Sequence, residues 1–306
     1  MNFRIATRWI AATRPGFLVV TLVAALLGIA SAQACGAGWH PLDAVTTVVL
    51  ALLAHAAINL HNDWGDALIG SDARNTDRIG PFTGGSRVVQ DGVFTAAQLH
   101  DMVQMIGMVV IGGGLVLAAR AGPGLLFIGM AGLALGWAYS HPRLALMSRG
   151  AGELAVAAGW WLVVVGADYV QRRHFDAAPM LAGVSPALLI AAMLWIAEFP
   201  DARSDALAGK RTLVVRLGPT VAALGYLALV VAAHGWVAYW WRAVWLPTTA
   251  WWALGSAPLS LVAAGLLWRH RHTPHRLRAA IVLTLAAAVL HGVLLTAAYG
   301  QIAGLR

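Results

Sequence analysis

The chain has 306 residues, of which 59% are hydrophobic and only 11% are charged. A soluble domain carries about 25% charged residues because its surface faces water, so this composition excludes a soluble globular protein. In a soluble protein the net charge of +8 would suggest nucleic acid as a partner. Here the basic residues lie between apolar runs, which favours a role in membrane orientation and predicts no nucleic-acid partner.

Nine apolar segments are long enough to cross about 30 Å of hydrocarbon as helices. They cover residues 17–33, 43–60, 102–119, 122–139, 151–167, 179–197, 217–240, 246–268 and 279–300. The sequence therefore predicts an all-α, polytopic protein of the lipid bilayer. We expect a bundle of nine transmembrane helices that forms a single domain over residues 1–306.

Lys and Arg residues are distributed unevenly between the two sets of loops. Sixteen of the 21 lie in the connections on one side, and five lie on the other side. Because cytoplasmic loops hold the excess of basic residues, we expect the amino terminus in the cytoplasm and the carboxyl terminus outside. The expected location is a bacterial-type inner membrane that the chain crosses several times.

Two short stretches hold seven of the thirteen acidic residues. The first stretch is Asn59-Leu-His-Asn-Asp-Trp-Gly-Asp66, followed by Asp72 and Asp77, and the second is Glu198-Phe-Pro-Asp-Ala-Arg-Ser-Asp205. Within each stretch the polar side chains recur at helical spacing, so they can share one face of a helix. Both stretches follow even-numbered segments, and we expect them to meet at the cytoplasmic rim.

Carboxylates gathered in a partly dry cavity repel one another unless cations join them. Oxygen ligands with few His or Cys nearby favour Mg²⁺, which bridges carboxylates to substrate phosphates. Basic residues that can pair with a diphosphate follow the two stretches: Arg74, Arg78, Arg87, Lys210 and Arg211. The pattern predicts a polyprenyl diphosphate substrate with its tail in the membrane. The allylic C–O bond would break, and the cation would meet an electron-rich nucleophile.

These residues resemble the UbiA superfamily of intramembrane aromatic prenyltransferases. Its two motifs are similar to Asn62-Asp-Trp-Gly-Asp66 with Asp72, and to Asp201, Asp205, Gly209, Lys210 and Thr212. The likeness covers essentially the whole chain. It is greatest to the 1,4-dihydroxy-2-naphthoate branch of menaquinone biosynthesis, through the runs Asp77-Arg-Ile-Gly-Pro81, Arg87-Val-Val-Gln-Asp-Gly92, Tyr139-Ser-His-Pro142 and Arg149-Gly-Ala-Gly-Glu153.

The resemblance, together with the residue patterns, implies Mg²⁺ as the cofactor and polyprenyl diphosphate and an aromatic acceptor as the substrates. The expected metal ligands are Asn62, Asp63, Asp66, Asp201 and Asp205. The expected catalytic residues are Asp66, Asp72, Asp201, Asp205 and Tyr139. The expected substrate contacts are Asn59, Asn62, Arg74, Arg78, Arg87, Arg149, Glu198, Lys210 and Arg211.

Three functions stay open at this point. The leading hypothesis is transfer of the prenyl group to 1,4-dihydroxy-2-naphthoate with loss of carbon dioxide. The second is the same reaction with a different aromatic or lipid acceptor, because residues 82–86 and Glu198 depart from the naphthoate pattern. The third is an ion-coupled transporter that uses buried acids. Transporter sites lie near the bilayer midplane, whereas these acids follow helix ends on one side.

Overall fold

The computed structural model describes residues 3–304, which form eleven α-helices and short 3₁₀ turns. The helices are α1 Phe3–Ala12, α2 Pro15–Ala34, α3 Pro41–Ile69, α4 Ala96–Ala121, α5 Gly124–Ser140, α6 Gly152–Arg172, α7 Ala177–Ala182, α8 Val184–Leu207, α9 Leu213–Arg242, α10 Ala257–His270 and α11 Arg278–Gly304. A 3₁₀ helix, Thr248–Ser256, leads directly into α10. The predicted all-α class is therefore confirmed.

Eight stretches of the described chain are helical, long and apolar enough to cross a membrane. A shorter apolar helix, α5, has 17 residues and lies where the fourth segment was predicted. Side chains on the outer faces of α4 and α5 support a lipid environment, since Met108 is 66% exposed and Phe127 is 68% exposed. The chain is a multi-span membrane protein. Nine crossings, the single domain and a cytoplasmic amino terminus stay predictions, and one counted arginine, Arg306, lies outside the described residues.

Helix α2 lies inside the bundle and packs against α3, α6 and α11. Its contact with α6 depends on Gly28, because a Cβ atom at this position would lie 2.8 Å from the Cβ atom of Ala167. It would also lie 2.9 Å from the backbone nitrogen of Asp168. Small residues let two membrane helices approach closely and gain van der Waals contact. Gly28 therefore sets the distance between α2 and α6, which form two walls of the cavity described below.

Polar side chains inside the bundle find hydrogen-bond partners on neighbouring helices. Tyr226 of α9 lies 2.7 Å from the hydroxyl of Thr284 on α11. His291 of α11 lies 2.9 Å from the hydroxyl of Ser185 on α8, and Ser256 lies 3.0 Å from both His291 and His234. These bonds satisfy groups that lipid cannot satisfy, so they fix how the helices pack around the core.

We expect Gly28→Ala to destabilise the protein, although alanine favours a helix more than glycine does. The added methyl group forces α2 away from α6 and costs roughly 1–3 kcal/mol as overpacking. Gly107→Ala in α4 is the matched control, because no atom lies within 4 Å of a Cβ built there. Thermal unfolding in detergent should show a lower Tm for the first variant only. Equal Tm values would contradict this role of Gly28.

Candidate active site

Most of the two acidic stretches lies on helices, whereas Asp72 lies in a 3₁₀ turn and Asp77 in a loop after α3. Helix α3 continues past its apolar part to Ile69 and carries the first stretch, and the last turns of α8 carry the second. Gly70 ends α3 in a left-handed conformation, with φ 79°, and its N–H donates to the Asp66 carbonyl at 2.8 Å. The helical spacing then presents the carboxylates of each stretch toward the other helix.

Lys210 joins the two stretches directly. Its Nζ lies 2.9 Å from Oδ1 of Asp66 on α3 and 3.1 Å from Oδ1 of Asp205 on α8. A tight turn through Gly209, with φ 80°, returns the chain so that the Lys210 N–H donates to the Asp205 carbonyl. Burial lowers the pKa of Lys210, but the carboxylates of Asp66 and Asp205 outweigh it and raise that pKa above its ordinary value. Lys210 is therefore a buried, charged ammonium group between two acids.

A loop at residues 82–86, here called the glycine loop, contacts both acidic stretches. The backbone N–H of Gly84 donates to Oδ2 of Asp201 at 3.1 Å. The backbone N–H of Ser86 donates to Oδ2 of Asp63 at 3.1 Å, and its hydroxyl donates to the same carboxylate. The amide of Asn75 donates to the other oxygen of Asp201 at 2.6 Å. These bonds orient Asp63 and Asp201 without neutralising them.

The Asp72 carboxylate packs against the glycine loop at Gly85, where the loop has no room for a side chain. Gly84 and Gly85 have φ values of 72° and 69°, a conformation that favours glycine. A Cβ atom on Gly85 would collide with the Asp72 carboxylate. Within the described residues, Oδ2 of Asp72 has no hydrogen-bond partner. Burial, followed by the charges of Asp66 and Asp63, raises the pKa of Asp72 to about 7.

The carboxylates suit a hard divalent cation in their chemistry. Asp66, Asp72, Asp201 and Asp205 supply several oxygens at one depth, and one of those oxygens is buried without a partner. In residues 3–304, however, no three acidic, His or Cys side chains converge as a preformed metal site. The reason is visible in the contacts, since Lys210 holds two of these carboxylates and the glycine loop holds a third.

An apolar cavity opens beside the acids and runs between α2, α3, α5, α6 and α8. Tyr139 lines the cavity, and aromatic and aliphatic side chains form most of the remaining wall: Phe17, Ile58, Phe82, Leu135, Val156, Trp160, Ile190 and Met193. The interior histidine His55 is held by the Thr21 hydroxyl at 2.8 Å, and that hydroxyl also accepts from Trp160. The site thus joins a polar end to an apolar channel.

The other predicted contacts lie around this centre. The Asn62 amide donates to Asp66 at 3.3 Å, whereas the Asn59 amide donates to the Thr13 carbonyl at 2.9 Å. Glu198 is buried. Arg87 is half-buried and donates to the Asp72 carbonyl at 3.1 Å. Four arginines are exposed and reach no carboxylate of the cluster: Arg74, Arg78, Arg149 and Arg211.

Sequence reasoning missed Arg14, which was counted only among the basic residues of the inner side. Arg14 precedes α2, pairs with the buried Asp63 carboxylate and also lines the apolar cavity. It is therefore a second cation of the acid cluster, and its partner is a carboxylate that Lys210 does not contact. The Gly84-Gly85 pair was a readable turn signal, but nothing in the local sequence connects Arg14 to Asp63.

Comparison with known proteins agrees with this architecture. The sequence profile of the UbiA prenyltransferase family matches residues 17–287. The 1,4-dihydroxy-2-naphthoate octaprenyltransferase of Escherichia coli (strain K12) is 33% identical over 217 residues, which are 69% of this chain and 68% of that protein. The enzyme of the same name from Mycobacterium tuberculosis is 30% identical over 265 residues, which are 84% of this chain and 85% of that protein.

Solved structures show the same fold. A UbiA homologue from Archaeoglobus fulgidus bound to GPP and Mg²⁺ superposes with a TM-score of 0.67, at 15% identity, and covers 97% of this chain and 99% of the other. The profile match covers most of the sequence, and the relatives above match over most of their own lengths. The chain belongs to the UbiA prenyltransferase family.

Proposed function

We propose that this enzyme transfers a polyprenyl group from polyprenyl diphosphate to 1,4-dihydroxy-2-naphthoate, with loss of carbon dioxide, as a step of menaquinone biosynthesis. The reaction requires Mg²⁺ and takes place at the cytoplasmic face of a bacterial inner membrane. The observation that carries the proposal is the cluster of buried acids and Lys210 at one end of an apolar cavity. A prenyl diphosphate has the matching form, since its head is anionic and its tail is apolar.

The carboxylates of Asp66, Asp72, Asp201 and Asp205, with the Asn62 amide oxygen, would hold the metal. Bound Mg²⁺ would withdraw electron density from the diphosphate and so weaken the allylic C–O bond. The UbiA homologue bound to GPP and Mg²⁺ supports this choice of metal and donor. Asp63 supports the cluster from its contacts with Arg14 and the glycine loop.

The cations of the site bind the diphosphate. Lys210 and Arg14 are already charged and partly buried, so each can pair with phosphate oxygens without first leaving water. Arg74, Arg78, Arg87 and Arg211 lie at the rim and add positive charge along the path by which an anionic head enters. Tyr139 lines the cavity next to the acids, where the allylic end of the prenyl chain would lie.

The acceptor assignment is supported by the names of the relatives. Two of them are 1,4-dihydroxy-2-naphthoate octaprenyltransferases. A further relative, from Synechocystis, is a 2-carboxy-1,4-naphthoquinone phytyltransferase, 30% identical over 217 residues. All three names contain a bicyclic naphthoate-type ring, which favours that acceptor over other aromatic or lipid acceptors. Membership of a prenyltransferase family likewise favours group transfer over ion transport.

Purified enzyme given Mg²⁺, geranylgeranyl diphosphate and dihydroxynaphthoate should form a prenylated, decarboxylated naphthalenediol, because these reagents supply each group that the site is built to hold. Mass spectrometry of the products, with 4-hydroxybenzoate as a parallel acceptor, identifies the substrate. The product should vanish with EDTA and return with added Mg²⁺. Product from 4-hydroxybenzoate alone would overturn the naphthoate assignment and leave prenyl transfer intact.

Asp66→Ala and Asp201→Ala should each lower the transfer rate at least about a hundredfold, the usual effect of removing one group that stabilises developing charge. Asp101→Ala is the control, because this acid is exposed near the start of α4, outside the cluster. Size-exclusion chromatography checks that each variant remains folded. Wild-type rates in either cluster variant would rule out the metal site drawn here.

Gly85→Ala should impair the binding of Mg²⁺ with pyrophosphate, since the new methyl group displaces the Asp72 carboxylate. Gly92→Ala is a matched control: Gly92 has a similar φ of 65°, but no atom lies within 4 Å of its Cβ position. Both variants carry the same backbone strain of about 1–2 kcal/mol. We expect added Mg²⁺ and pyrophosphate to raise the Tm of the control but not of Gly85→Ala. A similar rise in both would show that Asp72 is not needed for binding.

A further inference from the structure

A pair of buried glutamates lies outside the contacts described so far. Glu153 begins α6 and is 6% exposed, and Glu198 lies in α8 and is 7% exposed. The two carboxyl groups are neighbours, and each acts on the charge of the other. In the part of the chain that the structure describes, no other residue donates a hydrogen bond to either oxygen of Glu153 or to Oε2 of Glu198, so at these oxygens the two carboxyl groups have only each other as partners. Buried polar atoms of native proteins are rarely left so, which suggests that a ligand completes this group.

Helical spacing places the pair at the boundary between the cavity and the acids. Glu153 shares a face of α6 with Val156 and Trp160, which follow at i+3 and i+7 and line the cavity. Glu198 shares a face of α8 with Leu194, four residues before it, which also lines the cavity. Asp201 and Asp205 follow Glu198 at i+3 and i+7 on that same face. The pair therefore lies next to cavity-lining residues of α6 and α8 and, along α8, one turn from the acids of the metal-binding end.

Tyr139 marks the same boundary from the opposite wall. The charges that act on the Tyr139 hydroxyl include Glu198, Lys210, Asp66 and Glu153, so this hydroxyl lies close to both glutamates and to the cluster. A Cβ atom built on Gly152, next to Glu153, would lie 3.7 Å from the Tyr139 ring and 3.5 Å from Leu194. Helices α5, α6 and α8 thus converge around the two glutamates.

One further contact fixes Glu198 in this place. The backbone N–H of Val214, in the first turn of α9, donates to the Glu198 carboxyl group. This bond satisfies one of the orphan N–H groups of a helix start and leaves Oε2 free. Glu198 is therefore anchored at one side and unpartnered at the other, an arrangement that suits a binding group held in a fixed direction.

We propose that Glu153 and Glu198 bind the hydroxyl groups of the aromatic acceptor. This inference rests on the proposed function, in which the diphosphate lies on the acids and the prenyl tail lies in the cavity. The allylic carbon must then lie at the boundary between them, and the acceptor ring has to reach that carbon. Unpartnered carboxyl oxygens at this boundary accept hydrogen bonds from ring hydroxyls, and they turn the electron-rich carbon toward the chain.

The chemistry of the pair selects among acceptor groups. The pair offers carboxyl oxygens and no cation, so it suits the hydroxyl side of a hydroxylated ring and not an acidic substituent. A ring that lacks hydroxyl donors would leave these oxygens without a donor from the substrate, and sites built on buried hydrogen-bond partners reject such analogues strongly. The pair therefore acts as a specificity determinant for dihydroxylated aromatic acceptors.

The test uses Glu153→Gln and Glu198→Gln in full-length enzyme, with Asp101→Asn as an exposed control. Each glutamine keeps the shape of the side chain but loses the charge that strengthens the hydrogen bond. We expect the acceptor KM to rise roughly tenfold or more in each glutamate variant. The KM for geranylgeranyl diphosphate and the Mg²⁺ concentration for half-maximal rate should stay within about twofold of the wild type.

A second arm starts from wild-type enzyme, so its main result does not depend on variants that fold. Mono-O-methyl dihydroxynaphthoates should react with a kcat/KM at least roughly tenfold lower than the free diol, and this discrimination should shrink in the glutamate variants. An unchanged acceptor KM with a shifted Mg²⁺ requirement would overturn the inference and move the pair into the metal site. Equal use of methylated and free acceptors would also overturn it. Absence of transfer by wild-type enzyme to any acceptor would instead reject the proposed function, and this inference with it.

Discussion

Charge balance around Lys210 is the interaction on which the rest of this site depends. Helices α3 and α8 each end in a run of carboxylates, and the fold brings both runs to one depth, where repulsion would push the helices apart. Lys210 contacts Asp66 and Asp205 at 2.9 and 3.1 Å and so holds the two helix ends together. Removing one member of such a buried pair leaves an uncompensated charge, which costs about 3–5 kcal/mol.

The ion pairs seen here also indicate how substrate could enter without a large rearrangement. In the structure, Lys210 and Arg14 neutralise part of the acid cluster. Under the proposed function, the carboxylates would hold the metal and the two cations would hold the phosphates. Each protein group would then exchange one partner for another of the same sign. These ion pairs would keep the side chains near their working positions and limit the entropy lost on binding.

The sequence predicted well those features that depend on local pattern. Each of the nine apolar segments found by length falls on a helical stretch, eight of which are long enough to cross a membrane, whereas α1 was not predicted. The position of both acidic runs after even-numbered segments correctly predicted that they lie together. Arg14 could not be found in this way, because its pairing with Asp63 joins residues 49 positions apart through the packing of α2 against α3. Glu153 was missed for the same reason, since only the approach of α6 to α8 makes it a neighbour of Glu198.

One end of the site is charged and the other is apolar, and the reaction can occur at the boundary between them. The acids lie on the last turns of α3 and α8. There, water at the membrane interface and nearby cations lower the free-energy cost of their negative charge. One turn deeper, the side chains are apolar and would exclude water from a reactive allylic cation. Glu153 and Glu198 lie between these zones, where an unpaired carboxyl group is tolerated only if something regularly pairs with it. Both substrates must meet at this depth under the proposed function. The position of the two glutamates and their chemistry therefore both favour an acceptor hydroxyl as their partner.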